Sequence, residues 1–326
     1  MTKSILPKKI LYWYDNNKRS LPWRKKFSQV KREYYTLVSE FMLQQTQVVT
    51  VIPYFNNFIK DIPNIRSLAK INEQKLLKYW EGLGYYSRVR NLKKTAQILE
   101  KDFKGRLPST IEELKLLPGI GEYTANAIMA IGFNKPFIPL DGNIERVIKR
   151  LLNLKLISEI SKENLISKKK ILGTSIRASD YAQALMELGA LICRPKTPLC
   201  SQCPLTKNCK SFKNNDFEII KERKKKVDKF YLLNVYKKNN KFLLIKNTKF
   251  SFLKNLKIFP MDEIPKRNNV KKDLNIKISN MNINITIQFT KIKGSILNSS
   301  WIDSSKLDRY TVPTFTKKIF SYLEKN

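Results

Sequence analysis

All four cysteines of this 326-residue chain fall within one stretch of seventeen residues. The set Cys193, Cys200, Cys203 and Cys209 has the spacing C-x6-C-x2-C-x5-C, which is typical of metal ligands, because cysteines that only fill a core would be scattered. Disulfide bonds are the weaker interpretation, since we expect a chain that is not secreted. Spacing alone leaves structural zinc and a 4Fe-4S cluster equally open, because both accept four thiolates. Either group would fasten a loop that has no core of its own.

The chain contains no histidine, and its 63 Lys+Arg against 27 Asp+Glu give a formal net charge of +36. Without histidine there is no catalytic triad, so any proton transfer falls to Glu, Asp, Lys, Tyr or Cys. The charge favours nucleic acid as the partner, although part of it reflects a lysine-rich composition throughout. We find no transmembrane span and no signal peptide, and therefore expect a cytoplasmic protein without a membrane partner.

The pattern of apolar residues divides the chain into a helical part and a mixed part. Residues 1–212 carry apolar side chains at three- and four-residue spacing, which predicts a helical domain. Residues 213–228 are polar and basic and predict a linker, and residues 229–326 predict a smaller α+β domain. Its expected elements are a hairpin turning at Asn239-Asn240, a half-buried strand from Met281 to Phe289 and a closing helix from Pro313 to Leu323.

The segment LPGIG at residues 117–121 predicts a helix-hairpin-helix over residues 111–133. Gly119 and Gly121 let the backbone turn sharply and aim its N–H groups outward, beside a second helix that starts near Tyr123. A DNA phosphate fits there without any base being read. An ordinary helix–helix turn is the alternative, and the net charge favours DNA.

Several motifs follow one another along most of residues 5–210. Their combination is more specific than any single motif. They are SEFMLQQTQVVTVIPYF (39–55), EGLGYYSRVRNL (81–92), LPGIGEYTANAI (117–128), LDGNIERV (140–147), the QALMELGALIC run (183–193) and the four cysteines. Together they resemble the MutY family of adenine DNA glycosylases. The resemblance implies a two-lobed, mostly α-helical helix-hairpin-helix glycosylase fold with a 4Fe-4S cluster loop at residues 193–209. It also implies hydrolytic removal of adenine mispaired with 8-oxoguanine or guanine in double-stranded DNA, and we expect a monomer.

The resemblance assigns the chemistry to Glu40, Asp141, Tyr123 and Asn143. On a helix, Glu40 would share a polar stripe with Gln44 and Gln47, where partial desolvation raises its pKa and suits it to protonate the leaving adenine. Asp141 precedes a helix starting near Asn143, so we expect the helix N-terminus to favour its charged form and equip it to stabilise a positive sugar. Two carboxyl groups with different pKa values suit a reaction with an oxocarbenium-like transition state, because one can donate a proton while the other carries a negative charge. Without the resemblance, Glu40 would be an exposed helix acid and Asp141 a simple N-cap.

The residue at position 123 indicates whether such an enzyme also cuts the DNA strand. In the related bifunctional glycosylases of the endonuclease III type, the matching residue is a lysine that attacks the sugar as a Schiff-base nucleophile. Here it is Tyr123, so β-elimination of the DNA backbone has no obvious agent. The resemblance therefore implies a monofunctional glycosylase that leaves an abasic site, with Tyr123 and Asn143 supporting the charge beside Asp141.

Adenine must leave the base stack to reach Glu40, and the resemblance names the residues around it. The residues that match the lining of the adenine pocket are Leu21, Trp23, Arg24 and Gln183. Tyr85 would wedge beside the opposing purine, Gln45 would enter the minor groove, and Gln44 is a further expected DNA contact. Between Arg24 and Glu40 the segment KKFSQVKREYY is longer and more basic than the family pattern, which affects the entrance of the pocket.

Residues 229–326 weakly resemble the Nudix-like C-terminal domain of the family, in which a Phe-Ser-His loop inspects the opposite 8-oxoguanine. Here Ile278-Ser279-Asn280 takes that place, so Ser279 and Asn280 are the expected lesion contacts and the flat imidazole is missing. Asn can still donate and accept a hydrogen bond, so the residues leave the preference between 8-oxoguanine and guanine open. No Nudix catalytic helix with clustered glutamates is present, so we expect no nucleotide hydrolysis.

Two other functions remain open at this stage. A thymine-mismatch glycosylase of the same superfamily also carries Tyr at the lysine position, but LQQTQ and a C-terminal domain disfavour it. A non-catalytic DNA-binding protein would keep the hairpin and the cluster, but it would not need the four predicted catalytic residues together.

Overall fold

The computed structural model describes residues 5–155, 160–218, 226–266, 272–292 and 296–325. The chain forms two compact units, the first of Met1–Ile71 and Arg90–Glu222, the second of Asn72–Val89 and Arg223–Asn326. The division at residue 222 falls inside the predicted linker, of which residues 219–225 lie outside the described residues.

The second unit includes a helical segment that the sequence pattern placed in the first domain. This segment, Asn72–Val89, belongs with the C-terminal residues, because Glu81 pairs with Lys317 of the closing helix at 2.6 Å (Oε1 to Nζ). Helical periodicity predicts that a segment is a helix but not which core it joins, and this explains the difference.

The helices of the described residues follow the predicted pattern. They are α1 (Leu6–Asn17), α2 (Gln29–Leu43), α3 (Val48–Asp61), α4 (Ile65–Lys70), α5 (Glu73–Tyr79), α6 (Ser87–Asp102), α7 (Ile111–Leu116), α8 (Glu122–Ala127), α9 (Gly142–Leu152), α10 (Lys162–Lys168), α11 (Ala178–Glu187), α12 (Lys210–Lys213) and α13 (Thr314–Leu323). Two π-helical turns, Ile128–Gly132 and Leu188–Ile192, extend α8 and α11. None of these helices is long and apolar enough to cross a membrane.

Helix α2 lies at the centre of the first unit, since every residue from Glu33 to Met42 is buried. A helix that is covered on all sides needs packing partners around its whole circumference. Here it packs against α3, α8 and the π-helical turn that follows α8. The helix ends at Leu43, with Gln44 as its C-cap and Gln47 as the N-cap of α3. The predicted single polar stripe through Glu40, Gln44 and Gln47 is therefore wrong, because the chain turns between them.

The predicted helix-hairpin-helix is present as α7, the turn at residues 117–121 and α8. Gly119 has a positive φ of 83°, and an added Cβ would lie 2.8 Å from Phe41 Cε1 and 2.9 Å from Asn91 Cβ, so only glycine fits. Gly121 has a φ of −96° and open space around it, which any residue could adopt. The sharp turn thus depends on Gly119 and not, as predicted, on both glycines.

The described residues of the second unit form two four-stranded sheets. Their strands are β1 (Val227–Val235), β2 (Lys237–Lys238), β3 (Lys241–Lys246), β4 (Lys257–Ile258), β5 (Met261–Glu263), β6 (Leu274–Ile278), β7 (Met281–Phe289) and β8 (Ser299–Asp303). The first sheet has the order β5-β1-β7-β6, and β1 runs parallel to β7. In the second, β3 pairs with β2, β4 and β8. Apolar residues of both sheets and of α13, including Leu233, Leu244, Ile285 and Ile319, form one buried core.

The predicted hairpin at Asn239-Asn240 is confirmed only at its tip. Asn239 has a φ of 53° and Lys238 pairs with Lys241, but the long strand β1 leaves for the other sheet. A two-residue turn sets local register, whereas the partner of a long strand is decided by which faces are buried. The closing helix begins at Thr314 with Pro313 as N-cap, as predicted.

Candidate active site

A cavity of about 870 Å³ lies within the first unit. It is lined by the residues that the sequence assigns to base binding and catalysis, namely Glu40, Asp141, Tyr123, Asn143, Leu21, Trp23, Arg24 and Gln183. The expected DNA contacts Gln44 and Gln45 line it as well. The structure therefore brings these distant residues together, while their individual roles stay predictions.

Glu40 lies in the last turn of α2, and its side chain is buried. Burial raises the pKa of its carboxyl from an ordinary 4.5 to about 7, because the charged form loses its hydration, and this outweighs the lowering effect of a hydrogen bond from Tyr123. The Oε2 atom is buried and accepts no hydrogen bond from any described residue. A carboxyl that titrates near neutral pH and keeps one oxygen unpaired has the properties of a proton donor.

Tyr123 lies in the first turn of α8 and hydrogen-bonds to Glu40. Burial first, and then the charges of Glu40 and Asp141, raise the pKa of the phenol well above its usual value. The hydroxyl therefore stays protonated and acts as a donor. Among the described residues that line the cavity there is no lysine, and Tyr123 itself lines it.

Asp141 is the N-cap of α9, as predicted. Its carboxylate accepts hydrogen bonds from the backbone N–H groups of Asn143 (3.0 Å) and Ile144 (2.7 Å) and from the Asn143 amide (2.8 Å). The N–H groups at the N-terminus of α9 lower the pKa of Asp141, as expected, but burial raises it by more, so the net shift is upward. The site thus has a carboxylate that is held by three N–H donors but poorly hydrated, which suits it to a neighbouring positive charge.

Arg146 holds Asn143 in place, and the sequence analysis missed it. The Nη2 atom of Arg146 donates to Asn143 Oδ1 at 2.8 Å and to the carbonyl of Gly189 at 2.7 Å. Its Nε atom donates to the carbonyl of Cys193 at 2.6 Å. The spacing of three residues from Asn143 on one helix was an available signal. Arg146 therefore links the catalytic turn to the start of the cysteine loop.

Glu187 is a second residue that the sequence analysis missed. Its side chain is fully buried and accepts hydrogen bonds from Arg19 Nε at 2.8 Å and from Arg24 Nη1 at 2.6 Å. Burial alone would raise the pKa of this carboxyl, but the two arginines outweigh burial and lower it. Arg24 Nε remains buried and unpaired among the described residues. Arg19 and Arg24 line the cavity, and the buried carboxylate of Glu187 holds both of them in position.

The other pocket residues predicted from the sequence include two apolar side chains and one amide. Leu21 is buried, Trp23 packs edge-on against Phe55 with ring centroids 5.2 Å apart, and the Gln183 amide donates to the carbonyl of Ser179 at 3.1 Å. The lining of the cavity thus combines apolar and aromatic side chains with many polar ones, among them Thr36, Ser39 and Gln47. Such a cavity can enclose a flat base and form hydrogen bonds to its edge.

Two of the predicted DNA contacts have a strained backbone. Gln45, in the first unit, has a φ of 56°, and Tyr85, in the second, has a φ of 48°. Residues other than glycine rarely adopt these values, and such strain is concentrated at functional sites. Ser279 also has a positive φ, 56°, and forms with Asn280 the two-residue turn between β6 and β7.

The four cysteines are free thiols that interact electrostatically with one another. Burial raises the pKa of the Cys203 thiol to about 12, but the backbone N–H of Leu205 donates to its sulfur at 3.4 Å and opposes this. Arg150 Nη1 lies 3.5 Å from Cys193 Sγ. Among the described residues no three Cys, Asp or Glu side chains converge as a single metal ion requires. N–H donors around several thiols nevertheless favour thiolates, the form in which cysteine binds a metal group.

Comparison with known proteins shows to which family the chain belongs. Residues 38–170 match the HhH-GPD superfamily of base excision DNA repair proteins. The adenine DNA glycosylase of Buchnera aphidicola subsp. Baizongia pistaciae is 36% identical over 350 residues, covering 100% of this chain and 98% of that protein. The chain belongs to the MutY family of adenine DNA glycosylases. The human adenine DNA glycosylase is 41% identical over 209 residues, covering 62% of this chain and 38% of the human protein.

Solved structures of other DNA repair enzymes share the fold of the first part of the chain. A thermostable thymine-DNA glycosylase has a TM-score of 0.57 at 25% identity, covering 64% of this chain and 96% of its own. An endonuclease III–DNA covalent intermediate has a TM-score of 0.50 at 21% identity and a coverage of 64% and 95%, a likeness of fold alone. This MutY-family protein is thus a DNA N-glycosylase, a hydrolase with a helix-hairpin-helix domain and a smaller α/β domain.

Proposed function

We propose that this chain removes adenine mispaired with 8-oxoguanine or guanine in double-stranded DNA, as a monomer, and leaves an abasic site. The observation that carries the proposal is that Glu40 and Asp141 line the same cavity of about 870 Å³, which is large enough to enclose a flipped nucleobase. Glu40 titrates near neutral pH with one oxygen unpaired, whereas Asp141 is held by three N–H donors. Two carboxyls with such different surroundings suit an acid and a charge stabiliser.

In the proposed reaction, protonated Glu40 gives its proton to a ring nitrogen of the flipped adenine. The bond between the base and C1′ then breaks, its electron pair leaves with the adenine, and the sugar becomes an oxocarbenium ion that the Asp141 carboxylate stabilises. Water adds to C1′ and loses a proton. Tyr123 and Asn143 keep the two carboxyls in position, through the hydrogen bonds of Tyr123 to Glu40 and of Asn143 to Asp141.

The proposed enzyme does not cut the DNA strand. Strand scission by this superfamily requires an amine that forms a Schiff base with the opened sugar. Tyr123 takes that place with a protonated phenol, and no described lining residue of the cavity is a lysine. These observations support a monofunctional reaction.

We assign DNA contacts to the turn at Gly119 and Gly121, to Gln44 and Gln45, and to Tyr85. The turn precedes the N-terminus of α8, where backbone N–H groups favour a phosphate. The strained backbones of Gln45 and Tyr85 support their insertion into the duplex, because strain of this kind is retained where function requires it.

We further propose that Cys193, Cys200, Cys203 and Cys209 bind a 4Fe-4S cluster. The N–H donors to Cys203 and Cys209 and the nearby Arg150 fit a group that carries thiolate charge. Four cysteines within seventeen residues also supply the four thiolates that such a cluster requires. The cluster would fasten the loop beside Arg146 and take no part in base release.

We propose that the second unit is Nudix-like and that Ser279 and Asn280 contact the base opposite adenine. They form the two-residue turn between β6 and β7, and both residues are exposed. Asn280 replaces the imidazole of the family motif, so we propose only a weak preference for 8-oxoguanine over guanine.

The experiment that tests the function is single-turnover base release from duplexes with A:8-oxoguanine, A:G, G:T or no mispair. We expect adenine release from the first two, without strand scission before alkali treatment. Thymine release from G:T alone would instead support the activity named for the structural neighbour with a TM-score of 0.57. Duplex binding without release of a base from any of these substrates would indicate that the chain is a non-catalytic DNA-binding protein.

A further inference from the structure

The turn between α5 and α6 has an unusual concentration of left-handed backbone. Gly82, Gly84 and Tyr85 have φ values of 106°, 71° and 48°, so three of four successive residues lie in this region. Tyr85 is the only one of the three with a side chain, and 44% of it is exposed. Such a turn persists only when its surroundings hold it in place.

The carbonyl groups of this turn are held by two side chains from its flanks. Arg88 Nη2 donates to the carbonyls of Leu83 at 3.0 Å and Gly84 at 3.1 Å. Trp80 Nε1 donates to the same Gly84 carbonyl at 3.2 Å. The backbone N–H of Arg88 also donates to the carbonyl of Tyr85 at 2.9 Å. Because Arg88 and Trp80 are both buried, water cannot take over their hydrogen bonds to the turn. The strained backbone of the turn is therefore held from both flanks.

The guanidinium of Arg88 also supports the ring of Tyr85. Its central carbon lies 5.6 Å from the centre of the Tyr85 ring and 5.4 Å from that of the Trp80 ring. Burial lowers the pKa of Arg88 to about 10, so the group remains charged at neutral pH. A buried cation beside two aromatic rings stabilises their relative arrangement.

We propose that Arg88 is a positioning residue that fixes the Tyr85 ring as a preformed wedge before DNA binds. The proposal rests on the role of Tyr85 as a duplex wedge given above. A ring that is already ordered loses little conformational freedom when it enters the base stack, so more of the bound complex reaches the flipped state. Arg88 then affects unstacking of the duplex and not the chemical step at Glu40.

The test uses the full-length protein and a duplex with 2-aminopurine beside the purine opposite adenine, because 2-aminopurine fluoresces more strongly when it is unstacked. We expect the wild-type protein to raise the fluorescence and Tyr85→Ala not to do so. Arg88→Ala should behave like Tyr85→Ala and slow single-turnover adenine release about tenfold or more. The double variant should be no worse than Tyr85→Ala alone, because the two residues act as one unit.

Three further variants separate positioning from simple loss of structure or charge. Arg88→Lys keeps the charge but loses the flat guanidinium, and should recover part of the signal. Trp80→Phe removes the indole donor to Gly84 and reduces the aromatic surface beside Arg88, and it should cause a smaller loss, which tests the turn even where Arg88→Ala does not fold. Lys94→Ala removes an exposed charge from the same helix and should keep the full signal.

The outcomes distinguish this inference from the wedge itself. Full unstacking by Tyr85→Ala would overturn the wedge and the inference together. Loss of unstacking in Tyr85→Ala, with normal unstacking in folded Arg88 variants and in Trp80→Phe, would overturn only the inference. A loss in Lys94→Ala as large as in Arg88→Ala would attribute the effect to charge and also overturn it.

Discussion

Gly189 and Asn143 approach each other so closely that a Cβ added to Gly189 would lie 2.5 Å from the Cβ of Asn143 and 2.9 Å from its carbonyl carbon. Gly189 lies in the π-helical turn that extends α11, and Asn143 lies in the first turn of α9. Any side chain at position 189 must push these two elements apart. The position of Asn143, and through it of Asp141, therefore depends on a glycine from another helix.

We expect Gly189→Ala to slow adenine release strongly and to lower the free energy of unfolding by about 1–3 kcal/mol, the usual effect of overpacking. Gly142→Ala is the matched control, because a Cβ at Gly142 meets nothing within 4 Å. Single-turnover kinetics and urea denaturation measure the two effects. Equal activity of the two alanine variants would contradict the role of this contact.

The raised pKa of Glu40 predicts how activity depends on pH. Because the acid acts in its protonated form, adenine release should fall as the pH rises through about 7. Glu40→Gln should abolish release and leave duplex binding nearly unchanged, since the proton donor is lost while the basic surface remains. A rate that stays constant from pH 5 to pH 8 would argue against Glu40 as the acid.

The same carboxyl also predicts how stability depends on pH. Its folded pKa of about 7 lies above the ordinary 4.5, so the folded protein holds this proton more tightly than the unfolded chain. The resulting stabilisation, about 3 kcal/mol, is fully present below pH 4.5 and is lost as the pH rises through about 7. In Glu40→Gln this loss should be absent. Urea denaturation of both proteins at several pH values provides the measurement.

Glu187 should be important for stability as well as for the pocket. Glu187→Gln leaves Arg19 and Arg24 without their buried counter-charge, and breaking such a pair costs about 3–5 kcal/mol. Glu145→Gln is the control, because that side chain is partly exposed and lies 3.8 Å from Lys149. Thermal unfolding should show a large decrease for the first variant and almost none for the second. Similar midpoints would mean that the arginines find other partners.

The cysteine loop predicts the metal content of the purified protein. Protein prepared in air should absorb broadly in visible light and contain iron and sulfide in equal amounts. Because the chain has no other cysteine, thiol titration before and after oxidative removal of iron reports only on these four residues. Stoichiometric zinc in a colourless protein would refute the cluster.

Local features were predictable from short stretches of sequence. The turn at Gly119 and the N-cap at Asp141 involve backbone groups within about four residues, so the residue types at those positions nearly determine the geometry. The family motifs also allowed the catalytic residues to be predicted as one group, and these residues line a single cavity in the structure. By contrast, the hairpin at Asn239-Asn240 pairs only at its tip, because the partner of β1 depends on two sheets and a common core.

The sequence by itself determined the helical and mixed parts, the hairpin turn, the cap of α9 and the types of residue available for chemistry. Only the tertiary structure decided their electrostatics and packing. It set how far burial raises the pKa of Glu40, made burial outweigh the helix N-terminus at Asp141, and joined Glu187 to Arg19 across 168 residues. These effects arise from burial and from contacts between distant segments, and neither exists until the chain has folded around α2.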